Sequence, residues 1–166
     1  MIDTIVPVIQ SQPSADREAL RAELEATRAA FHALLQSISD DRWRQKSPTS
    51  AWTVREVCEH LTWSLEQLPQ EVASARRGKG MFNYPLPQRL VDLLSYWITR
   101  RDARNATPTS IRRRYDAAMA AVLRTLDEVH ATDWPRGARF YGEGFYTVAD
   151  LFHTPAHHFA EHTAGL

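Results

Sequence analysis

Apolar residues recur at intervals of three and four along most of the chain. The first stripe runs Leu20, Leu24, Phe31, Leu34, Leu35 and Ile38, with Glu, Arg and Gln opposite, and that period predicts an amphipathic helix. Ser14 is its expected N-cap, its end is expected near Ser39 and Asp40, and residues 1–13 read as an N-terminal tail. A polar loop holding Trp43, Pro48 and Trp52 follows. Thr53-Val54-Arg55-Glu56 is a capping-box sequence, in which the Thr and Glu side chains satisfy backbone N–H groups that a helix start leaves open. A second stripe of Val54, Val57, Leu61, Leu65, Leu68 and Val72 continues from it. Pro69 lacks the N–H a helix needs, so a kink or an end to regular structure is expected there.

Leu86, Leu90, Leu93, Leu94, Trp97 and Ile98 predict another helical segment, lying between Pro87 and a polar turn at residues 105–109. A longer helix carries Ile111, Tyr115, Met119, Val122, Leu126 and Val129. Residues 132–146, rich in glycine and aromatics, read as a loop over one end of the molecule. Thr147 and Asp150 form a second capping box, and Pro155 predicts a bend in the helix it opens, or a fresh start after Thr154. Every predicted element is helical, so the expected class is all-α, with residues 14–166 as one domain.

Composition narrows the functions available. Lys plus Arg number 20 and Asp plus Glu number 20. With no net charge to draw a polyanion, neither nucleic acid nor an anionic membrane is an expected partner. Arg112, Arg113 and Arg114 read as a solvated helix face. A single cysteine, Cys58, rules out an intrachain disulfide and is expected to be buried and inert. No basic leader and no membrane-length apolar run is evident, which makes a cytoplasmic location the expectation.

The candidate chemistry lies in the histidines. Of seven, four crowd the C-terminal end: His153, His157, His158 and His162. Helix residues four apart sit roughly 40° apart around the axis and about 6 Å apart along it, so two such imidazoles can share a metal ion. His153 with His157 and His158 with His162 both qualify; the first pair straddles Pro155, and the second is the better candidate. His60 shares the apolar side of its helix with Val57 and Leu61 and is the best source of a third ligand. An inward histidine is equally served by hydrogen bonds, so spacing leaves both roles open. His158-Phe159-Ala160-Glu161-His162 also matches the H-x-x-E-H pattern of inverzincins, with Glu161 as general base. That family takes a further ligand well downstream, and only four residues follow His162.

The run Trp52-Thr53-Val54-Arg55-Glu56-Val57-Cys58-Glu59-His60-Leu61 resembles the second-helix signature of the DinB/YfiT-like superfamily. Asp41-Arg42-Trp43 and Ser47-Pro48 before it resemble that signature too. The closing His158-Phe159-Ala160-Glu161-His162-Thr163-Ala164-Gly165-Leu166 is similar to the last-helix motif of the same superfamily. The likeness spans roughly residues 16–166. It implies a four-helix bundle, with the segment around Leu90–Ile98 as an extra element between the second and third bundle helices. It also implies a metal site of His60, His158 and His162, holding nickel or zinc most often.

Some relatives transfer or isomerise with a low-molecular-weight thiol such as bacillithiol, mycothiol or glutathione. The resemblance therefore favours a metal-dependent thiol transferase, with a metal-dependent hydrolase as the alternative. A metal- or ligand-binding stress-response protein without turnover is the reading from another class. Glu161 and Glu56 are the candidate catalytic carboxylates, each able to orient a ligand imidazole or relay a proton. Trp52, Tyr84, Arg139, Phe140 and Tyr141 are candidates for lining a pocket. The expected partners are a small-molecule substrate and a second copy of the chain in a homodimer. With ordinary imidazole ligands, metal affinity is expected to fall as the pH drops through about 6.

Overall fold

The computed structural model describes residues 16–48, 50–83, 87–142 and 144–166. The expected tail, the Ser14 cap, Tyr84 and Leu86 lie outside the described residues. Within them, helices α1 (Arg17–Ser37), α2 (Asp40–Arg44), α3 (Val54–Arg76), α4 (Gln88–Asp102), α5 (Pro108–Asp127) and α6 (Val148–Thr163) are joined by strands β1 (Gly137–Phe140) and β2 (Gly144–Thr147). The protein is predominantly helical, with one small two-stranded sheet.

Both sequence-predicted capping boxes are present. Glu56 Oε2 accepts from the Thr53 backbone N–H at 2.8 Å while Thr53 Oγ1 accepts from that of Glu56. Thr147 and Asp150 make the same reciprocal pair at the start of α6. The cap of α1 is Asp16, whose carboxylate accepts from the N–H groups of Glu18 and Ala19. Neither proline ends its helix: α3 runs through Pro69 and α6 through Pro155. At Pro155 there is a local reason. The missing N–H would have served the Leu151 carbonyl, and the Thr154 hydroxyl donates to that carbonyl instead, at 2.7 Å.

The segment expected to be a loop is a hairpin. β1 and β2 pair antiparallel with Gly137 opposite Thr147 and Phe140 opposite Gly144. Ala138 and Phe140 are buried and Arg139 is exposed, the two-residue alternation of a half-buried strand. Tyr141 (φ 57°) and Gly142 (φ 73°) take the left-handed conformation that turns the chain. A second correction lies in the loop before α3, where α2 forms and buries Trp43.

Helices α1 and α3 each pack against both α5 and α6, closing a ring around the core. At one junction Phe31 of α1 stacks on Tyr115 of α5, ring centroids 3.8 Å apart, and meets Phe159 of α6 edge-on at 6.4 Å. Helix α4 lies outside this ring against α3. Its apolar stripe is only half covered: Leu90, Leu93, Leu94, Trp97 and Ile98 are 46–58% exposed. The Arg cluster on α5 is not wholly a solvated face. Arg112 and Arg113 are exposed, whereas Arg114 grips Glu66 through two nitrogens at 2.9 Å and Glu59 through a third at 2.6 Å. Among the described residues no helix is long and apolar enough to cross a membrane.

Candidate metal centre

The apolar stripe of α3 sets the direction of His60. Val57 and Leu61 on either side of it are buried in the core, and His60 on the same flank reaches toward α6. There His158 and His162, one turn apart, face back. One nitrogen from each of the three rings lies within 4.8 Å of the others. His60 Nε2 and His158 Nε2 are 3.0 Å apart. Ring centroids are separated by 4.6–5.0 Å at interplanar angles of 73–81°, so the three rings meet edge to face around one point. Trp52 leans over the group, 4.5 Å from His60 and 5.9 Å from His162 between centroids.

The electrostatics suit a cation. Burial, and then the fields of His158 and His162, hold His60 down at about pKa 3. Burial and His162 hold His158 at about 4. His162 is also lowered by burial, with Glu161 pulling the other way. All three imidazoles are therefore neutral near pH 7, and each can offer a lone pair to the common centre in the tautomer that places its proton on the other nitrogen. Three neutral imidazole nitrogens are a set that could hold a divalent metal ion.

These shifts revise the pH expectation. Protons displace a metal only when they can occupy its ligands, and here the ligands resist protonation well below the ordinary value of 6.5. Metal retention should hold through about pH 6 and be lost on approach to about pH 4. The metal-free fold should lose stability over the same descent, because below about 6.5 the unfolded chain binds more protons than the folded one. Metal content after dialysis across a pH series checks this; loss already complete by about pH 6 would contradict the burial argument.

A cavity of about 840 Å³ adjoins the histidines, walled by α3, α4, α6 and the hairpin. That volume is ordinary for a small-molecule site. Of the residues singled out in the sequence, Trp52, Tyr141 and Glu161 line it. Glu56 does not. It is buried, with one oxygen on the α3 cap and the other 3.2 Å from Arg100 Nε of α4. Arg139 points its side chain to solvent, and its carbonyl accepts from Asn83 Nδ2. Phe140 is core.

His153 is paired with Glu23 of α1 at 2.8 Å, and exposed His157 lies on the cavity wall, its ring 6.5 Å from that of His153. Cys58 is fully buried, its thiol pushed up to about 12 by burial and by Glu59, which keeps it protonated. Sequence reasoning passed over Glu59, Trp63 and Glu71, which line the cavity. Their spacing from His60 along α3 was the available signal: Trp63 follows by three residues and Glu71 by eleven, three helical turns on.

The chain matches the family model described as the DinB superfamily over residues 23–165. No curated protein matches it. Among solved structures, the crystal structure of an uncharacterised protein from Escherichia coli UTI89 is similar at 13% identity, with a TM-score of 0.65. The match covers 93% of this chain and 91% of that one, and at this identity the likeness is one of fold.

Proposed function

The chain belongs to the DinB superfamily, and on that premise we propose that it is a metal-dependent enzyme that joins a thiol to a small electrophile. The ring of α1, α3, α5 and α6 is read as the superfamily's four-helix bundle, with α4 as the extra element and residues 14–166 as one domain. The observation that carries the reading is the convergence of His60, His158 and His162 within 4.8 Å beside a cavity large enough for a substrate. Nickel or zinc suits the three-imidazole set, and such an ion, when bound, acidifies a thiol or water that joins it.

The chain's own residues supply the rest. The three histidines stay unprotonated at neutral pH. Trp52 closes one side of the group against solvent. Glu161, on the cavity wall next to His162, takes the proton that the thiol sheds. In the reaction the sulfur forms a bond to carbon, and the leaving group departs with the electron pair of the bond it breaks. Glu56 acts at one remove, by holding the start of α3 and tying it to α4.

The test is thiol consumption by nickel- or zinc-loaded protein given a haloaromatic electrophile, with glutathione, bacillithiol and a simple aminothiol tried in turn. Turnover should need both metal and thiol, and Glu161→Gln should lower it by about 10²-fold, as expected for loss of a positioned base. Turnover of esters without any thiol would assign the site to hydrolysis. No turnover in either assay, with the metal firmly held, would leave a binding module.

A further inference from the structure

We propose that the cavity takes an elongated ligand with an apolar middle and a positively charged far end, the charge resting on Glu71 at the end remote from His60. The near end of this ligand rests on the metal-site reading above; the preference for positive charge at the far end stands without it.

The cavity is a trough. Its walls run from His60 to Glu71 on α3, from Val91 to Asp102 on α4 and from Leu151 to His162 on α6. Each wall covers twelve residues, eleven steps or roughly 16 Å of helix. Two contacts orient it. The Arg100–Glu56 pair sets the C-terminal end of α4 beside the histidine end of α3. At the other end, the Tyr141 hydroxyl of the hairpin donates to Glu71 Oε1.

Among the described residues lining the trough are four carboxylates, Glu59, Glu71, Asp102 and Glu161, and no Lys or Arg. Two of them have cations elsewhere: Glu59 has Arg114 and Asp102 has Arg101. Glu161 is exposed to solvent at the histidine end. Glu71 differs from all three. It is 3% exposed, its hydrogen bond is to a neutral phenol, and no described cation is within ion-pair distance. Burial accordingly raises its affinity for a proton, against the opposing effect of the Tyr141 hydrogen bond.

A buried carboxylate in this condition is stabilised by a cation arriving from outside. The surroundings suit one. Phe82 stacks on Tyr141, the phenol that reaches Glu71, with centroids 5.3 Å apart, and Trp63 lies 6.0 Å from Phe82, so two aromatic rings stand at the Glu71 end and a third continues from them toward His60. Between the ends, Leu94 and Ile98 of α4 form the wall while remaining about half exposed, so an apolar chain laid along them removes their surface from water. Near the histidines, Glu59 Oε2 is buried without a hydrogen-bond partner among the described residues, an acceptor that a ligand N–H can satisfy. By the same logic, thiols bearing several carboxylates fit this trough poorly.

The experiment compares two straight-chain eleven-carbon thiols, one ending in an amine and the other in a carboxylate, with the two-carbon aminothiol as the short control. Each is titrated calorimetrically into the full chain near neutral pH, below micelle formation, with zinc-loaded and metal-free protein. Amine and carboxylate probes without the thiol are titrated into the metal-free protein as well. The long amine should bind at least about tenfold tighter than the long acid, the strength of one well-placed charge contact, and tighter than the short amine.

Glu71→Gln should bring the amine-to-acid ratio close to one. Phe82→Leu, at a half-buried position stacked on Tyr141, should weaken the amine about threefold and leave the acid unchanged, a second reading if Glu71→Gln misfolds. Equal or tighter binding of the acid, or an undiminished ratio in both variants, overturns the proposal. So does failure of both long probes to bind either form. Amine preference in a protein that fails to retain zinc supports this proposal and defeats the metal-enzyme reading instead.

Discussion

His60→Ala, His158→Ala and His162→Ala should each reduce metal retention from about one ion per chain to nearly none after dialysis, with helical circular dichroism unchanged. One nitrogen of each ring lies within 4.8 Å of the other two, so under the proposed ligation deleting any one would leave two imidazoles and solvent. Loss of a group that merely supports a ligand weakens metal binding by about 10–100-fold, and loss of a ligand itself should exceed that. His157→Ala and His153→Ala are the informative controls. His157 lies roughly 100° around α6 from His158, and His153 is engaged by Glu23 on the α1 side. Both variants should keep the metal. Should these two lose it while His158→Ala keeps it, the ligand pair is the upstream one and the site described here is wrong.

Phe31→Ala should cost about 3–5 kcal/mol of stability, read from the shift in a urea unfolding midpoint. Domains of this kind are stable by only about 5–15 kcal/mol, so the change consumes a large share. Phe31 is fully buried where three helices meet, stacked on Tyr115 and edge-on to Phe159. Truncation removes that contact and leaves a void that α1, α5 and α6 can close only by shifting. Phe159 is the residue after His158, so slack at this junction should also weaken metal binding in the folded variant. A cost below about 1 kcal/mol would mean that the junction collapses freely and that Phe31 does not anchor α6.

The features legible in the sequence are those that depend on near neighbours. Thr53 with Glu56 and Thr147 with Asp150 are reciprocal bonds three residues apart, and both formed as read. The four-residue step from His158 to His162 puts two imidazoles one turn apart on any α-helix. His60 could be placed on an inward face because Val57 and Leu61 define that face. Two local signals were nonetheless present and hard to weigh. The Thr154 hydroxyl that takes the Leu151 carbonyl competes with the expectation of a bend or a fresh start at Pro155. The hairpin's two-residue alternation spans only four residues per strand and is diluted by Gly137, Gly142 and Gly144.

Periodicity gives the phase of a helix about its own axis. It says nothing about which helix lies opposite, or at what height. Only the packing of α3 against α6 sets His60 level with His158 and His162; a slip of one turn would carry it about 5.4 Å out of reach. The same holds for Arg114, which reads as one of three solvated arginines until α5 meets α3 and brings it to Glu59 and Glu66. It holds also for α4, whose apolar stripe predicted a helix but not that Leu94 and Ile98 would wall a cavity. Glu71 is unremarkable on a helical wheel and becomes a buried, uncompensated carboxylate only when the hairpin folds over it. By itself the sequence determined the five longer helices, the two capping boxes and the one-turn spacing of His158 and His162. The third ligand's place, the trough and its charge were decided by contacts between residues tens of positions apart, which no local pattern encodes.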